Sequence, residues 1–259
     1  MRLLLSVSAA ALMTAGAASA QSVVALTGDN TLVMIDPANA TATGSLDVAV
    51  EGRLLGIDWR PNTQQLIGVT EDWRVVSIDW TSGETTDIVT MDTPLEIADG
   101  AAVIVDINPA ADALRFMSGT VNHRVNLGTG AVMVDGALHF AADGEHASET
   151  PMVGGTAYTN SVGRPEATAM YNIDTAMSAL LRQNPPNDGT NMAVGMLGAE
   201  IEGPIAFDIY AAAVDDNAAW LIANGGLHSV DLETGAVTGS WELQGVDGEV
   251  RDMTVVPPM

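Results

Sequence analysis

Cysteine is absent from this 259-residue chain, and so is lysine; all nine basic residues are arginine. Without cysteine there are no disulfides, no thiolate metal sites and no thiol nucleophile. Without lysine no Gly-rich loop has the lysine that grips a nucleotide phosphate. Positive charge is scarce in any form: nine basic residues face 33 acidic ones, a formal charge of −24. A field of that sign repels phosphate backbones and anionic lipid headgroups, which sets nucleic acid aside as a partner. Its plain reading is solubility in a salty or cell-surface setting. Aromatics are few as well, five Trp, three Tyr and three Phe, so little is left over for the exposed platforms that saccharide sites use. The four histidines, His123, His139, His146 and His228, lie far apart and form no zinc spacing. There is no Gly-x-Ser-x-Gly elbow.

What the chain does have begins with a leader. Arg2 precedes an apolar stretch from Leu3 to Met13, and Ala18-Ser19-Ala20 supplies a small-x-small junction before Gln21. Residues 1–20 therefore read as a secretory signal peptide cleaved between Ala20 and Gln21. The apolar core is shorter than the roughly 20 residues a spanning helix needs, and no later stretch reaches that length. The expectation is an exported protein, periplasmic or extracellular, with no membrane insertion once the signal is removed. Residues 21–259 are expected to form one domain, a monomer, with eight arginines left against 33 acids.

Internal repeats decide its architecture. An apolar run, an Asp or Asn, a short turn and a second apolar run recur with anchors at Asp36, Asp79, Asn126, Asp174 and Asp231. An Asp or Asn side chain accepts from backbone N–H groups two residues on, and a following glycine, as in Thr81-Ser82-Gly83 or Glu233-Thr234-Gly235, tolerates positive φ. That chemistry makes tight hairpins. Five copies predict five four-stranded blades, an all-β five-bladed propeller. Helix is expected almost nowhere; Thr175–Gln183 reads as turn and outer strand. Ala141–Thr150 and Asn184–Gly189 read as longer loops, and loops on one propeller face are where binding normally sits.

A second element precedes the turns: Leu54–Pro61, Val103–Pro109, Val153–Tyr158 and, more loosely, Ile205–Ile209. These read as the innermost strands of blades two to five. The first unit has none, because Val23-Val24-Ala25-Leu26 leads straight into its turn. Val250–Val256 has the inner-strand pattern with no blade after it. This C-terminal strand is predicted to complete blade one and close the ring.

Gly56-Ile57-Asp58-Trp59-Arg60-Pro61, Asn108-Pro109, Ala157-Tyr158-Thr159-Asn160, Ile173-Asp174-Thr175 and Gln183-Asn184-Pro185-Pro186-Asn187 appear in that order. In these segments the chain resembles the bacterial family known as domain of unknown function 4394. The resemblance extends over nearly all of residues 21–259, and the Asn-Pro-Pro-Asn segment is its most specific part. It departs at Gln64-Gln65-Leu66-Ile67, where the family typically shows Thr-Gly before Leu-Tyr. The resemblance implies an exported, propeller-like repeat protein and no established activity or catalytic residue.

Four acids occupy matching places on the inner strands: Asp58, Asp106, Asp208 and Asp252. Converging on the axis, they have three readings. In the first, each tethers blades by accepting backbone N–H bonds, the usual duty of buried carboxylates. All four together are candidate ligands for Ca²⁺, which takes six to eight oxygens. Asp58, Asp106 and Asp208 are candidate catalytic carboxylates of a glycan hydrolase, which needs acids at defined separations. Trp59, Trp73, Trp80, Trp220 and Trp241 are expected to pack between blades. Arg60, Arg74, Arg124 and Arg164 are expected to pair with surface acids, and the 13 methionines to fill the core. The leading expectation is a non-enzymatic binding or scaffolding module for a protein or small-molecule ligand, with no cofactor. The hydrolase and a calcium-stabilised cell-surface module are the alternatives.

Overall fold

The computed structural model describes residues 21–258. The expected leader, residues 1–20, lies outside the described residues together with Ala20 of its cleavage junction.

Strand after strand follows the alternation of Val, Ile, Leu and Thr, and the chain winds into five sheets. Blade one holds β1 (Ser22–Thr27), β2 (Thr31–Asp36) and β3 (Thr41–Asp47). Blade two is β4 (Leu54–Arg60), β5 (Gln65–Thr70), β6 (Arg74–Ile78) and β7 (Thr85–Thr90). Blade three is β8 (Val103–Asn108), β9 (Ala113–Ser118), β10 (Val121–Asn126) and β11 (Val132–Val134). A short β12 (His139–Phe140) precedes β13 (Val153–Tyr158), β14 (Met170–Asp174), β15 (Ala179–Gln183) and β16 (Thr190–Met196) of blade four. Blade five is β17 (Ala206–Ala213), β18 (Asp216–Ala223), β19 (Gly226–Val230) and β20 (Val237–Glu242). The last strand, β21 (Val250–Val256), returns to blade one and pairs antiparallel with β1, Val24 opposite Thr254. Strands β21, β4, β8, β13 and β17 contact one another in a closed ring about the axis. The fold is a five-bladed β-propeller, closed as the sequence predicts.

Burial falls from the axis outward, and composition follows it. The inner strand β4 is buried over Leu54–Asp58, whereas the outer strands β3, β7 and β20 are rich in Thr, Ser, Gly and acids and are largely exposed. The apolar core is divided into layers between blades. Leu55, Ile67 and Val75 of blade two meet Val105, Leu114 and Phe116 of blade three, and comparable layers join the other blades. Trp73 packs edge-on against Phe116 across one junction, with ring centroids 6.2 Å apart. Trp59 and Trp80 lie in the layer between blades one and two.

The repeated turn behaves as its chemistry dictates. Asp79 Oδ1 accepts from Thr81 N at 2.9 Å, Asn126 Oδ1 from Gly128 N at 2.9 Å, and Asp231 Oδ1 from Glu233 N at 2.8 Å. Gly83, Gly130 and Gly235 then take φ of 79°, 76° and 79°. These anchors, with Asp36, join the third and fourth strands of their blades. Asp174 does not. It lies between β14 and β15, the second and third strands of blade four, on the opposite face. Its carboxylate caps Met177 N and Met152 N, so the same local chemistry turns a different corner. The third-to-fourth turn of that blade is the Asn-Pro-Pro-Asn segment, which has a cis Asn184–Pro185 peptide and the only helical residues among those described, Pro186–Asp188. Blade four also departs from the four-stranded expectation. Strand β12 adds to it in parallel beside β16, burying Phe140 and covering an edge that would otherwise be free.

Ending the chain at Gly248 removes β21 and with it the inner strand of blade one. Expressed alone, this truncated protein should be insoluble or lose its cooperative thermal transition. A soluble variant melting within a few degrees of the full chain would contradict the closure.

Candidate functional site

Each inner strand has one edge in the blade ladder and one facing the axis, and its axial N–H groups need partners. The aspartates provide them, each reaching forward to the next blade. Asp252 of blade one accepts from Ile57 N of blade two at 2.8 Å. Asp58 of blade two accepts from Ile107 N of blade three at 2.6 Å. The Tyr158 backbone amide of blade four faces Asp106 of blade three. Asp208 of blade five accepts from Val255 N of blade one at 2.6 Å. Asp58, Asp208 and Asp252 also accept from the N–H of the residue that follows them. Thr254 Oγ1 lies between Asp58 and Asp208, at 2.9 and 3.1 Å.

Only the link from blade four to blade five is missing, because β13 has no acid. There Gly155 lets the strands approach instead: a Cβ on it would stand 2.8 Å from Phe207 Cβ. Gly56 is needed for a related reason, since a Cβ there would lie 2.6 Å from Asp252 Oδ2.

The structure thus brings three of the four candidate acids into one group. Asp58, Asp106 and Asp208 each place an oxygen within 4.8 Å of the others, and Asp252 adjoins them through Ile57. All four are buried, none more than 7% exposed. Burial, reinforced by the Asp208 carboxylate, pushes Asp58 well above the usual carboxylate range. Burial and then the charges of Asp58, Asp208 and Asp252 do the same to Asp106. Asp252 is raised well above that range by burial, and Asp208 is raised by burial to about 6.

The open space lies elsewhere. A cavity of about 910 Å³ occupies the end of the axis where the inner strands begin. Leu55, Val103, Val153 and Ile205 form its apolar wall, and Ile97 and Met152, both exposed, stand on it. Its charged groups are Arg53 and Arg251 against Asp99 and Glu249, and none of the four axial aspartates lines it. Arg251 is fixed by donating to the backbone oxygens of Gly28, Asp29 and Leu54 at 2.6–3.1 Å. Burial, then the neighbouring Arg53, holds its pKa below the ordinary guanidinium value. Sequence reading did not single out these two arginines, since no local motif marks them; they meet only through the closing strand. The four arginines it did single out pair with acids: Arg60 with Asp112, Arg74 with Asp72 and Asp87, Arg124 with Asp135, and Arg164 more loosely with Asp112 at 3.7 Å.

A carboxyl whose folded pKa exceeds its unfolded one holds its proton more tightly in the native state. That preference stabilises the fold fully below about pH 4 and is lost as the pH climbs through the folded values, about 6 for Asp208. With chelator present, Tm should therefore fall as the pH is raised from about 5 to about 8. Asp106→Asn should flatten that slope, since it removes one charge from the group. An unchanged slope in the variant would show that the axial acids are not its source.

Residues 32–254 match the sequence profile of the family described as Domain of unknown function (DUF4394). Among solved structures, a protein of unknown function from Bacteroides caccae is similar at 10% identity, over 89% of this chain and 76% of its own, with a TM-score of 0.45. An auxiliary nutrient binding protein from Bacteroides ovatus ATCC 8483 is similar at 13% identity over 76% of this chain, with a TM-score of 0.46; the match spans 55% of that protein's length. No curated protein matches the chain. Among the described residues no helix is long and apolar enough to cross a membrane.

Proposed function

This chain belongs to the DUF4394 family, a domain of unknown function, and from the site geometry we propose that it is an exported, monomeric, non-enzymatic propeller that binds a small molecule in the axial funnel. One observation carries the reading. The funnel, about 910 Å³ with apolar walls and with Arg53 and Arg251 set against Asp99 and Glu249, is separate from the four axial aspartates, which are buried. Its size falls within the range of about 300–1,000 Å³ typical of ligand pockets, and a few placed polar groups on apolar walls are what such pockets use for orientation. A glycan hydrolase acting through Asp58, Asp106 and Asp208 needs carboxylates that substrate can reach, and these are 4–6% exposed and already committed to backbone N–H groups.

The test is a small-molecule thermal-shift screen on wild type and on Ala101→Trp, a substitution at a residue that lines the funnel and whose larger ring would fill it. Ligands that raise the Tm of wild type should not raise that of the variant. Equal shifts in both would place binding elsewhere, and turnover of aryl glycosides lost in Asp208→Asn would favour the hydrolase. Material recovered from an exporting host should begin at Gln21; retention of the leader would contradict export.

Calcium is a second reading, favoured by the grouped oxygens of Asp58, Asp106 and Asp208 within 4.8 Å. Ca–O distances of about 2.3–2.6 Å allow an ion among them. The fit is partial, because Asp58 and Asp208 each already accept two backbone N–H bonds and share the single hydroxyl proton of Thr254, which leaves few free lone pairs for an ion. Thermal melts after EDTA and after added Ca²⁺ decide it. A calcium-dependent rise in Tm that is lost in Asp106→Asn supports the ion, and no shift with either reagent removes it.

A further inference from the structure

The layer between blades three and four differs from the others. Its apolar part is small, centred on Ile104, Met117, Val153, Tyr158 and Met170, and beside it lies Arg115, 1% exposed. This guanidinium donates from Nε to Tyr158 Oη at 3.1 Å, from Nη1 to Asn122 Oδ1 at 2.8 Å and Asp135 Oδ2 at 2.7 Å, and from Nη2 to Asn187 Oδ1 at 2.9 Å. A guanidinium has five N–H groups, so one on Nη2 remains. Arg124 reaches the same carboxylate, donating from Nε and Nη2 to Asp135 at 2.6 and 2.8 Å. Its Nη1 makes no hydrogen bond among the described residues. Two guanidinium charges therefore share a single carboxylate.

Those donors border a cavity of about 100 Å³, lined by Arg115, Arg124, Tyr158, Asn108 and Asn187 with a few small apolar residues. No carboxylate lines it. The nearby Asp112 is engaged by Arg60 in a two-pronged pair at 2.7 Å. Asn187 Oδ1 is already taken by Arg115, which leaves its amide N–H₂ as donor. The Tyr158 hydroxyl accepts from Arg115 and keeps its own proton, and burial raises its pKa. The space is thus rich in donors and carries an excess positive charge in a protein of formal charge −24. At about 30 Å³ per water it holds roughly three waters, or one oxyanion of four or five heavy atoms.

We propose that this cavity is a binding site for a small oxyanion, of carboxylate or phosphate size, held by Arg124 and by the remaining N–H of Arg115. Planar guanidinium groups suit such anions because paired N–H bonds match paired oxygens. The site lies where β8 and β13 end, opposite the funnel, so it stands or falls independently of the function proposed above.

Isothermal titration calorimetry with sodium phosphate and with sodium acetate, at ionic strength fixed by sodium chloride, tests it. Wild type should give saturable one-site binding with at least one of the two anions. Arg124→Gln should weaken that binding by about tenfold or more. This variant should still fold, because Arg124 is partly exposed and Asp135 keeps Arg115; a matching Tm checks that. Arg74→Gln removes the same charge from a surface pair with Asp72 and Asp87, and its affinity should stay within about twofold of wild type. No saturable heat with either anion, wild-type affinity in Arg124→Gln, or equal loss in Arg74→Gln would each overturn the proposal.

Discussion

A ring of inner strands leaves five free backbone edges facing the axis, and the structure depends on how those edges are satisfied. A buried N–H without a partner costs about 1–3 kcal/mol, and no water-filled bore is needed where carboxylates take its place. Asp252, Asp58, Asp106 and Asp208 each belong to one blade and engage the backbone of the next. The same contacts that satisfy the edge therefore fix the angle between neighbouring blades. Close approach is the condition for this, and Gly56 and Gly155 grant it where a side chain would intrude.

The chain tolerates crowded carboxylates at its centre because burial favours their protonated forms, and a protonated acid can still accept from an amide. Its surface follows the opposite rule. Asp79 and Asp231, exposed in the repeated turns, are held below the usual carboxylate range by side-chain and backbone donors of the following residues. One residue type thus serves two purposes: ionised, it fixes hairpin corners in water; near the axis, it joins sheets in the dry interior.

Most of the architecture was legible because its causes are local. Asx turns at Asp36, Asp79, Asn126 and Asp231, the double-sided burial of Leu54–Asp58, and the unmatched strand at Val250–Val256 each leave a mark in a short window. The convergence of Asp58, Asp106 and Asp208 followed from their equivalent strand positions. Blade four misled because Asp174 repeats the turn chemistry at another corner, and because β12 joins by a parallel pairing of two residues that has no periodicity to read. The funnel arginines and Arg115 were invisible for a different reason. Arg115 sits in an ordinary strand sequence, Ala113–Ser118, and only the fold brings Asp135 and Asn187 to it. In the Asn-Pro-Pro-Asn segment the motif was visible and its duty was not: Asn187 accepts from Arg115 and Pro186 O from Asn122, so a stretch that reads as a loop clamps two blades together.

The pairing of β1 with β21 has a consequence for synthesis. A ribosome releases Ser22–Thr27 more than two hundred residues before Val250–Val256, and through that interval the first sheet lacks its axial member. Blades two to five can assemble in order as they emerge, but the circle stays open at one seam until the final strand arrives. Commitment to the native state is thereby deferred until Val250–Val256 is available, and a polypeptide stopped short of that strand is left with an unsealed gap.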